Sequence, residues 1–226
     1  MAKIKFGMMM TDARGKLGGQ VFSKNRAGSY VRTKTTPVNP QTTAQMASRQ
    51  LLGSLSAGWN DLTASAIAAW NAAVNDWKST DIFGDIKIPT GKNLYTALNK
   101  NSRGAGGSAI ALPPAKMDLN TIPGVGAEFD ITGGDLNLDI STVPASHILQ
   151  VWATPAVNEG VSYVKNKLRV IANVPAGAVN STTLFNGYVA KFGTPVVGQK
   201  IYVGIRYIGS NGQAGVRLVD VAVILP

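Results

Sequence analysis

The chain contains no cysteine and a single histidine, His147, among its 226 residues. Without cysteine it can form neither disulfide bonds nor thiolate metal sites. A single histidine excludes a zinc site built from several histidines and leaves one candidate base for a serine triad. Charged residues make up only 15% of the chain. No run of 18 apolar residues occurs, so no membrane-spanning helix is predicted.

The positive charge is concentrated at the N-terminus. The whole chain has 22 Lys and Arg against 12 Asp and Glu, a net charge of +10. Residues 1–36 hold eight of the basic groups and one acid, Asp12, so this segment alone carries +7 (8 − 1). Such a density of cations favours contact with an acidic surface or with phosphates. The first residues lack the apolar stretch of a signal peptide, so no secretory leader is expected.

Residues 21–34 have the pattern of a β-hairpin. Turn residues occupy Asn25–Gly28, and polar side chains alternate with Val31 and Thr33 beyond them. A hairpin of this size is barely stable alone, so we expect this basic arm to lie against its own helical region or another subunit. The side chains predicted to contact an acidic partner are Arg14, Lys16, Lys24, Arg26, Tyr30, Arg32 and Lys34.

Residues 37–103 are rich in Ala, Leu, Asn and Trp and show helical periodicity. Apolar residues recur at spacings of three or four through residues 44–62 and again through residues 66–77. A third, shorter helix is predicted for Gly91–Asn101. Capping residues mark where the three helices begin. The predicted starts are Asn39-Pro40, Thr63 and Thr90.

The segment 104–117 is rich in glycine and proline and is predicted to be a linker. Beyond it, residues 118–226 contain short alternating stretches with turn signals between them. The sequence from Gly198 to Gly215 is similar to the F–G hairpin of fibronectin type III domains. Seven strands in this length predict an all-β, immunoglobulin-like sandwich with Trp152 in its core. The predicted strands are Ala127–Thr132, Leu136–Ser141, Ile148–Thr154, Leu168–Val174, Leu184–Phe192, Lys200–Ile208 and Gly215–Leu225.

The sequence offers no residue pattern that indicates catalysis, a cofactor or a metal. No serine near His147 lies in a nucleophile-elbow context, and Gly15–Gly19 lacks the ending of a phosphate-binding loop. Asp130, Asp135 and Asp139 lie near one another in sequence, but they do not have the spacing of a calcium loop. No pair of carboxylates is placed for acid–base chemistry. We therefore expect a protein that is not an enzyme and that carries neither cofactor nor metal.

Six short motifs follow one another in the first half of the chain: Gly15–Lys34, Thr36–Gln45, Trp59–Thr63, Ala69-Trp70, Gly91–Tyr95 and Leu98-Asn99. Together they span roughly residues 14–101 and resemble the N-terminal region of structural proteins of tailed bacteriophages and Bacteroidetes-associated elements, including crAss-like phages. The chain departs from that pattern in two places. It has Ile67-Ala68 where a Gln-Arg pair usually precedes Ala-Trp, and it has an insert at residues 76–89.

The resemblance implies a virion component. We expect a mixed α and β, multidomain structural protein, present in several copies in the particle and assembled in the host cytoplasm without membrane contact. Its arm and helical domain would anchor it to capsid, portal or tail subunits, and its sandwich would decorate or bridge neighbours. Two alternatives remain open. One is a nucleic-acid-binding virion protein, with Phe22 and Tyr30 stacking on bases; the other is a host- or glycan-binding display module, with Tyr163 and Phe185 as candidate contacts.

Overall fold

A computed structural model describes residues 2–36, 38–122 and 124–225. Within these residues the chain forms four helices and several mainly antiparallel sheets. The mixed α and β composition expected from the sequence is therefore confirmed. Three parts follow one another along the chain: a small N-terminal sheet, a set of helices and a larger C-terminal sheet with one helix.

The N-terminal part is a four-stranded antiparallel sheet. The predicted hairpin forms its centre, with Asn25 paired to Gly28 across a two-residue turn. The Asn25 side chain accepts a hydrogen bond from the Ala27 amide, and Gly28 has a φ of +102°, a conformation that favours glycine. The spatial order is β1-β4-β3-β2. The strands are β1 (Ala2–Lys3), β2 (Gly15–Leu17), β3 (Gln20–Asn25) and β4 (Gly28–Thr33).

The middle part contains three helices and a small hairpin that lies in the insert. The second and third helices begin where the sequence predicts, with Thr63 and Thr90 accepting backbone hydrogen bonds as N-caps. The elements are α1 (Thr43–Asn60), α2 (Ala64–Ala73), β5 (Ser79–Thr80), β6 (Ile86–Lys87) and α3 (Gly91–Gly104).

The predicted start of the first helix is wrong by three residues. Thr42, not Asn39, is the N-cap, because its hydroxyl accepts a hydrogen bond from the Gln45 amide. Gln41 has a φ of +51°, a left-handed conformation that interrupts helical geometry before the cap. The two residues ahead of Thr42 therefore cannot join the helix.

Aromatic rings form the core of the helical part. Trp70 is fully buried, and its ring lies edge-on to Tyr95 with 5.4 Å between centroids. Such a pair contributes about 1 kcal/mol beyond the area that it buries. Leu94 and Leu98 on α3 complete the cluster. By contrast, α1 buries only Leu55 among the described residues, although it spans 18 residues.

The C-terminal part is one six-stranded sheet with a helix packed on it. The strand order is β11-β10-β13-β14-β7-β8; the pair β14–β7 is parallel and the other neighbours are antiparallel. β9 and β12 form a separate two-stranded pair. The elements are β7 (Glu128–Asp130), β8 (Asp135–Asn137), β9 (Thr142–Val143), β10 (His147–Ala153), β11 (Arg169–Val174), β12 (Gly177–Ala178), α4 (Ser181–Phe192), β13 (Lys200–Gly209) and β14 (Leu218–Leu225).

The strand predicted at Leu184–Phe192 is wrong, because this segment belongs to helix α4. The Asn180 side chain accepts a hydrogen bond from the Thr183 amide and caps the helix. Leu184 and Tyr188, four residues apart, are fully buried on one helical face. A short apolar run fits either period, and the structure selects the helical one. The other six predicted strands each overlap an observed strand.

The predicted all-β sandwich is therefore wrong for residues 118–226. Helix α4 packs against β8 and β11, the two outermost strands of the six-stranded sheet. The sheet curls so that both of its edges meet this helix. The main hydrophobic core fills the space between them and includes Leu184 and Tyr188 from the helix. One helix thus occupies the place where a sandwich would have its second sheet.

Trp152 is buried, as predicted, but it lies outside the main core. Its neighbours Val151 and Ala153 face that core, so the alternation of the strand points Trp152 to the outer face of the sheet. The guanidinium carbons of Arg206 and Arg217 lie 4.7 and 5.3 Å from its ring centroid and cover it. Two arginines, rather than a second sheet, shield this indole from water.

The predicted linker follows the surface of both neighbouring parts. The Trp70 indole donates a hydrogen bond to the Ala111 carbonyl, and the Asn211 amide donates one to the Ala115 carbonyl. The helical part also contacts the sheet directly, because the Asn101 side chain donates a hydrogen bond to the Gly212 carbonyl. These bonds hold α3 against the turn that follows β13.

Substitution of Gly212 tests the contact between α3 and the turn that follows β13. This glycine has a φ of +76°, and a Cβ at this position would overlap the carbonyl group of Leu98 in α3. We expect Gly212→Ala to lower the free energy of unfolding by about 3 kcal/mol, since strain and overlap add. Gly134→Ala is the matched control: its φ is +69°, and a Cβ added there would meet nothing within 4 Å, so about 1 kcal/mol is expected. If urea unfolding showed equal losses of unfolding free energy in the two variants, Gly212 would not pack closely against α3.

Candidate partner-binding arm

The N-terminal sheet has no interior. None of the described residues from 2 to 36 is fully buried, and its largest apolar side chains, including Phe22, Tyr30 and Val31, are only half-buried. A sheet is normally stabilised by one face packed on a core. This arm therefore depends for its stability on whatever lies against it.

The register of the strands divides the predicted contact residues between two faces. Residues directly opposite each other share a face, so Lys16 and Arg32 lie together with Val21 between them. Tyr30 is two residues from Arg32 and lies on that same face. Lys24 lies on the opposite face. The other predicted residues are outside the strands: Arg26 in the turn, Arg14 just before β2 and Lys34 just after β4.

The cations of the arm differ in their partners. Asp12 receives two of them, with its Oδ2 atom 3.4 Å from Arg14 Nε and 3.8 Å from Lys24 Nζ. Exposed pairs of this kind contribute about 0–1 kcal/mol. Four further cations have no carboxylate within 4.0 Å in the described part of the chain, and all four are exposed. They are Lys16, Arg26, Arg32 and Lys34.

The insert at residues 76–89 holds the first strand of the arm. Lys3 forms an ion pair with Asp81, and Lys5 Nζ lies 2.9 Å from Asp85 Oδ2. Lys5 also lies over the ring of Phe83, 5.6 Å from its centroid. We call these contacts the latch. The hydrogen bond from Lys3 is the main cause of a lowered Asp81 pKa; burial opposes it, and two backbone amides add to it.

The tip of the arm leaves space above the helices. A groove of about 520 Å³ separates the turn around Arg26 from Trp77 and Leu94. The loop between β1 and β2 is also open, because Met8 and Met9 are fully exposed. Flexible, polarizable methionine suits adaptable contacts. Apart from the latch, the arm thus offers both charged and apolar surface to a partner.

The remaining predicted site residues are elsewhere. Phe185 contributes to the core, since its ring lies 5.2 Å from that of Phe129, whereas Tyr163 is 72% exposed. His147 is buried with its Nδ1 2.8 Å from the Ala145 carbonyl. Asp135 accepts hydrogen bonds from two hydroxyls at the start of α4.

The described residues contain neither a metal-binding cluster nor a membrane-spanning helix. No group of three or more His, Asp or Glu side chains in residues 2–36, 38–122 and 124–225 is placed to hold a metal ion. No helix in those same ranges is both long and apolar enough to cross a membrane.

Comparison of the chain with protein-family models, with curated proteins and with solved structures finds no match. The arm is a charged sheet without a core, and the ion pairs of Lys3 and Lys5 hold its N-terminal end to the insert.

The latch can be tested by removing its acids. We expect the double substitution Asp81→Asn with Asp85→Asn to release β1, so that the Ile4 amide, which donates to the Ser29 carbonyl, exchanges its hydrogen at least about tenfold faster. The matched control is Asp76→Asn with Asp118→Asn, two exposed acids outside the latch. Equal exchange in the two double variants, measured by mass spectrometry, would show that the latch does not hold the strand.

The latch should also depend on pH. Because the folded-state pKa of Asp81 lies below its ordinary value of 3.8, its stabilising effect is fully present above that value. The effect is lost as the pH falls through the lowered folded-state pKa. We expect the NMR resonances of Lys3 and Asp81 to be constant from pH 7 to pH 5 and to titrate with a midpoint below pH 3.8. A change centred near neutral pH would contradict this assignment.

Proposed function

We propose that the protein is a non-enzymatic structural component of a tailed bacteriophage particle. Its arm and helical part anchor it to acidic surfaces of capsid, portal or tail subunits. The observation that carries the proposal is the arm itself. None of its described residues is fully buried, and four of its exposed cations have no carboxylate within 4.0 Å in the described part of the chain. The resemblance of residues 14–101 to phage structural proteins supports it.

A partner subunit would complete the arm in two ways. It would cover the apolar side chains of the central hairpin, Phe22 and Val31 on one face, at about 25 cal/mol for each Å² removed from water. Its carboxylates would meet the cations on the other face, which include Lys16 and Arg32. Because the latch already orders β1, the arm loses less conformational entropy on binding than a disordered segment would.

The C-terminal part has its own core and does not need the arm to fold around α4. It therefore suits a unit that decorates the particle or bridges neighbouring subunits while the arm holds it in place. Several copies per particle follow from this role, because decoration and connection both repeat around a symmetric shell or ring.

A nucleic-acid partner is the second candidate, and the faces of the arm argue against it. Phe22 and Tyr30 would have to stack on successive bases along one surface. The register places Phe22 opposite Val31 and Tyr30 opposite Ser23, so the two rings lie on opposite faces of the sheet. One strand of nucleic acid cannot stack on both. An acidic protein surface is therefore the favoured partner.

The anchoring role predicts how particles respond to a change of charge in the arm. We expect mass spectrometry to find the protein in particles purified from the strain that carries its gene. Lys16→Glu with Arg32→Glu should reduce its copy number in particles at least about tenfold, because four units of charge change on the binding face. The matched control is Lys165→Glu with Lys167→Glu, two exposed lysines of the C-terminal part, which should incorporate normally.

Three outcomes would overturn the proposal. The protein could be absent from particles, or both double variants could incorporate alike. The arm could instead bind single-stranded DNA below micromolar concentration with a steep dependence on salt, lost in the Lys16 and Arg32 variant. This last result would favour the nucleic-acid alternative.

A further inference from the structure

The outer face of the C-terminal sheet carries two arginines stacked on one tryptophan. Trp152 pairs across the sheet with Gly204, and the missing side chain at Gly204 leaves room for its neighbours. A Cβ at position 204 would meet the Arg217 Cδ atom at 3.5 Å. Glycine in a strand often marks such a close approach. The indole, only 7% exposed, is covered by Arg206 and Arg217.

Arg206 is held in a fixed orientation by a ladder of side chains. Its Nε and Nη2 atoms donate hydrogen bonds of 3.3 and 3.0 Å to Gln150 Oε1. Gln150 in turn donates from Nε2 to Asn173 Oδ1 at 3.0 Å. These bonds occupy one edge of the guanidinium and leave the donors of the other edge free for a ligand. Such supporting contacts are typical of a pre-organised binding group.

A bulge turns Arg217 towards the same indole. From Ile208 to Ile205, β13 advances by three residues, whereas the returning strand advances by four between their partners, Ala214 and Leu218. The extra residue shifts the alternation. With Leu218 opposite the core residue Ile205, its neighbour Arg217 points outwards. Without the bulge, Arg217 would point towards the core.

The two arginines lack an acidic partner. Within the described ranges, no carboxylate lies within 4.0 Å of either guanidinium. Burial, and then repulsion by Arg217, lowers the pKa of Arg206. Two like charges held side by side on one ring are unfavourable, and a bound anion would relieve their repulsion.

A groove of about 410 Å³ leads away from Arg217 along the sheet. Tyr163, 72% exposed, and Lys165 line it on the side of the neighbouring loop. The hydroxyl of Tyr202, also in the groove, donates to the Val161 carbonyl at 2.6 Å and ties that loop to the sheet.

We propose that Arg206 and Arg217 bind the carboxylate of an acidic saccharide, whose rings lie in the groove against Tyr163. Two guanidinium groups match a carboxylate, and an exposed aromatic ring provides the apolar surface on which sugars stack. A nucleic-acid strand fits less well, because it stacks successive bases on several rings, whereas Tyr163 is the one exposed aromatic side chain among the described residues that line the groove. This site is independent of the arm and of its anchoring role.

An array of neutral and acidic oligosaccharides, probed with the full-length protein, tests the proposal. Binding should be confined to acidic members. Oligogalacturonate and its methyl ester, which differ only in charge, should then differ by at least about tenfold in Kd when titrated by calorimetry. Arg217→Gln and Tyr163→Ala should each weaken binding by about the same factor. Both residues are exposed, so we expect both variants to fold.

Two controls isolate the site. Lys167→Gln removes an equal charge from an exposed side chain outside the groove and should retain binding. The arm variant Lys16→Glu with Arg32→Glu removes positive charge that attracts acidic saccharides non-specifically, and it should also retain binding. The proposal is overturned if no acidic saccharide binds, if Arg217→Gln and Lys167→Gln bind alike, or if single-stranded DNA binds in place of saccharide and is lost with Arg217. None of these outcomes affects incorporation into particles.

Discussion

The arm is a sheet that cannot bury its own side chains, and its stability and its proposed role both depend on that constraint. The four strands of the arm satisfy each other's backbone groups, yet the apolar residues of β3 and β4, such as Phe22 and Val31, remain only half-buried. Backbone pairing alone gives little net stability in water, and burial of apolar surface supplies most of it. The arm must therefore take its stability from neighbours, and within the chain those neighbours are the insert hairpin and the latch. The large exposed remainder explains why an external partner is part of the proposed role.

The sequence predicts those features that short-range chemistry determines. The turn at Asn25–Gly28 and the caps Thr63 and Thr90 each act within three residues, and each is found where predicted. Helix α4 was also detectable. Asn180, three residues before Thr183, is a cap signal, and Leu184 and Tyr188 have helical spacing. The prediction of a strand for residues 184–192 neglected these two helical signals.

Other features depend on contacts that no local pattern contains. The latch joins Lys3 to Asp81, 78 residues away, and the sequence identified the insert only as a departure from a resembling pattern. Trp152 was predicted to be buried, but its face depends on the register of distant strands, and Arg217 reaches it only because of a bulge. Of the seven predicted contact residues of the arm, the four that lie in strands are divided between two faces by the register in the same way. The sequence predicts the type of most elements and their position along the chain. It does not predict which face of a sheet a side chain lies on or which distant residue it contacts.

Hydrogen exchange of the arm, compared between the isolated protein and assembled particles, tests the central claim most directly. The account predicts that the amides of residues 20–33 exchange within seconds to minutes in the free protein and become at least about a hundredfold slower in particles, where a partner covers them. The amides of β10 and β13 in the C-terminal core should be equally protected in both samples and serve as the internal reference. If the arm in the free protein were already as protected as that core, and assembly changed nothing, the arm would be a self-sufficient domain and the account would be contradicted.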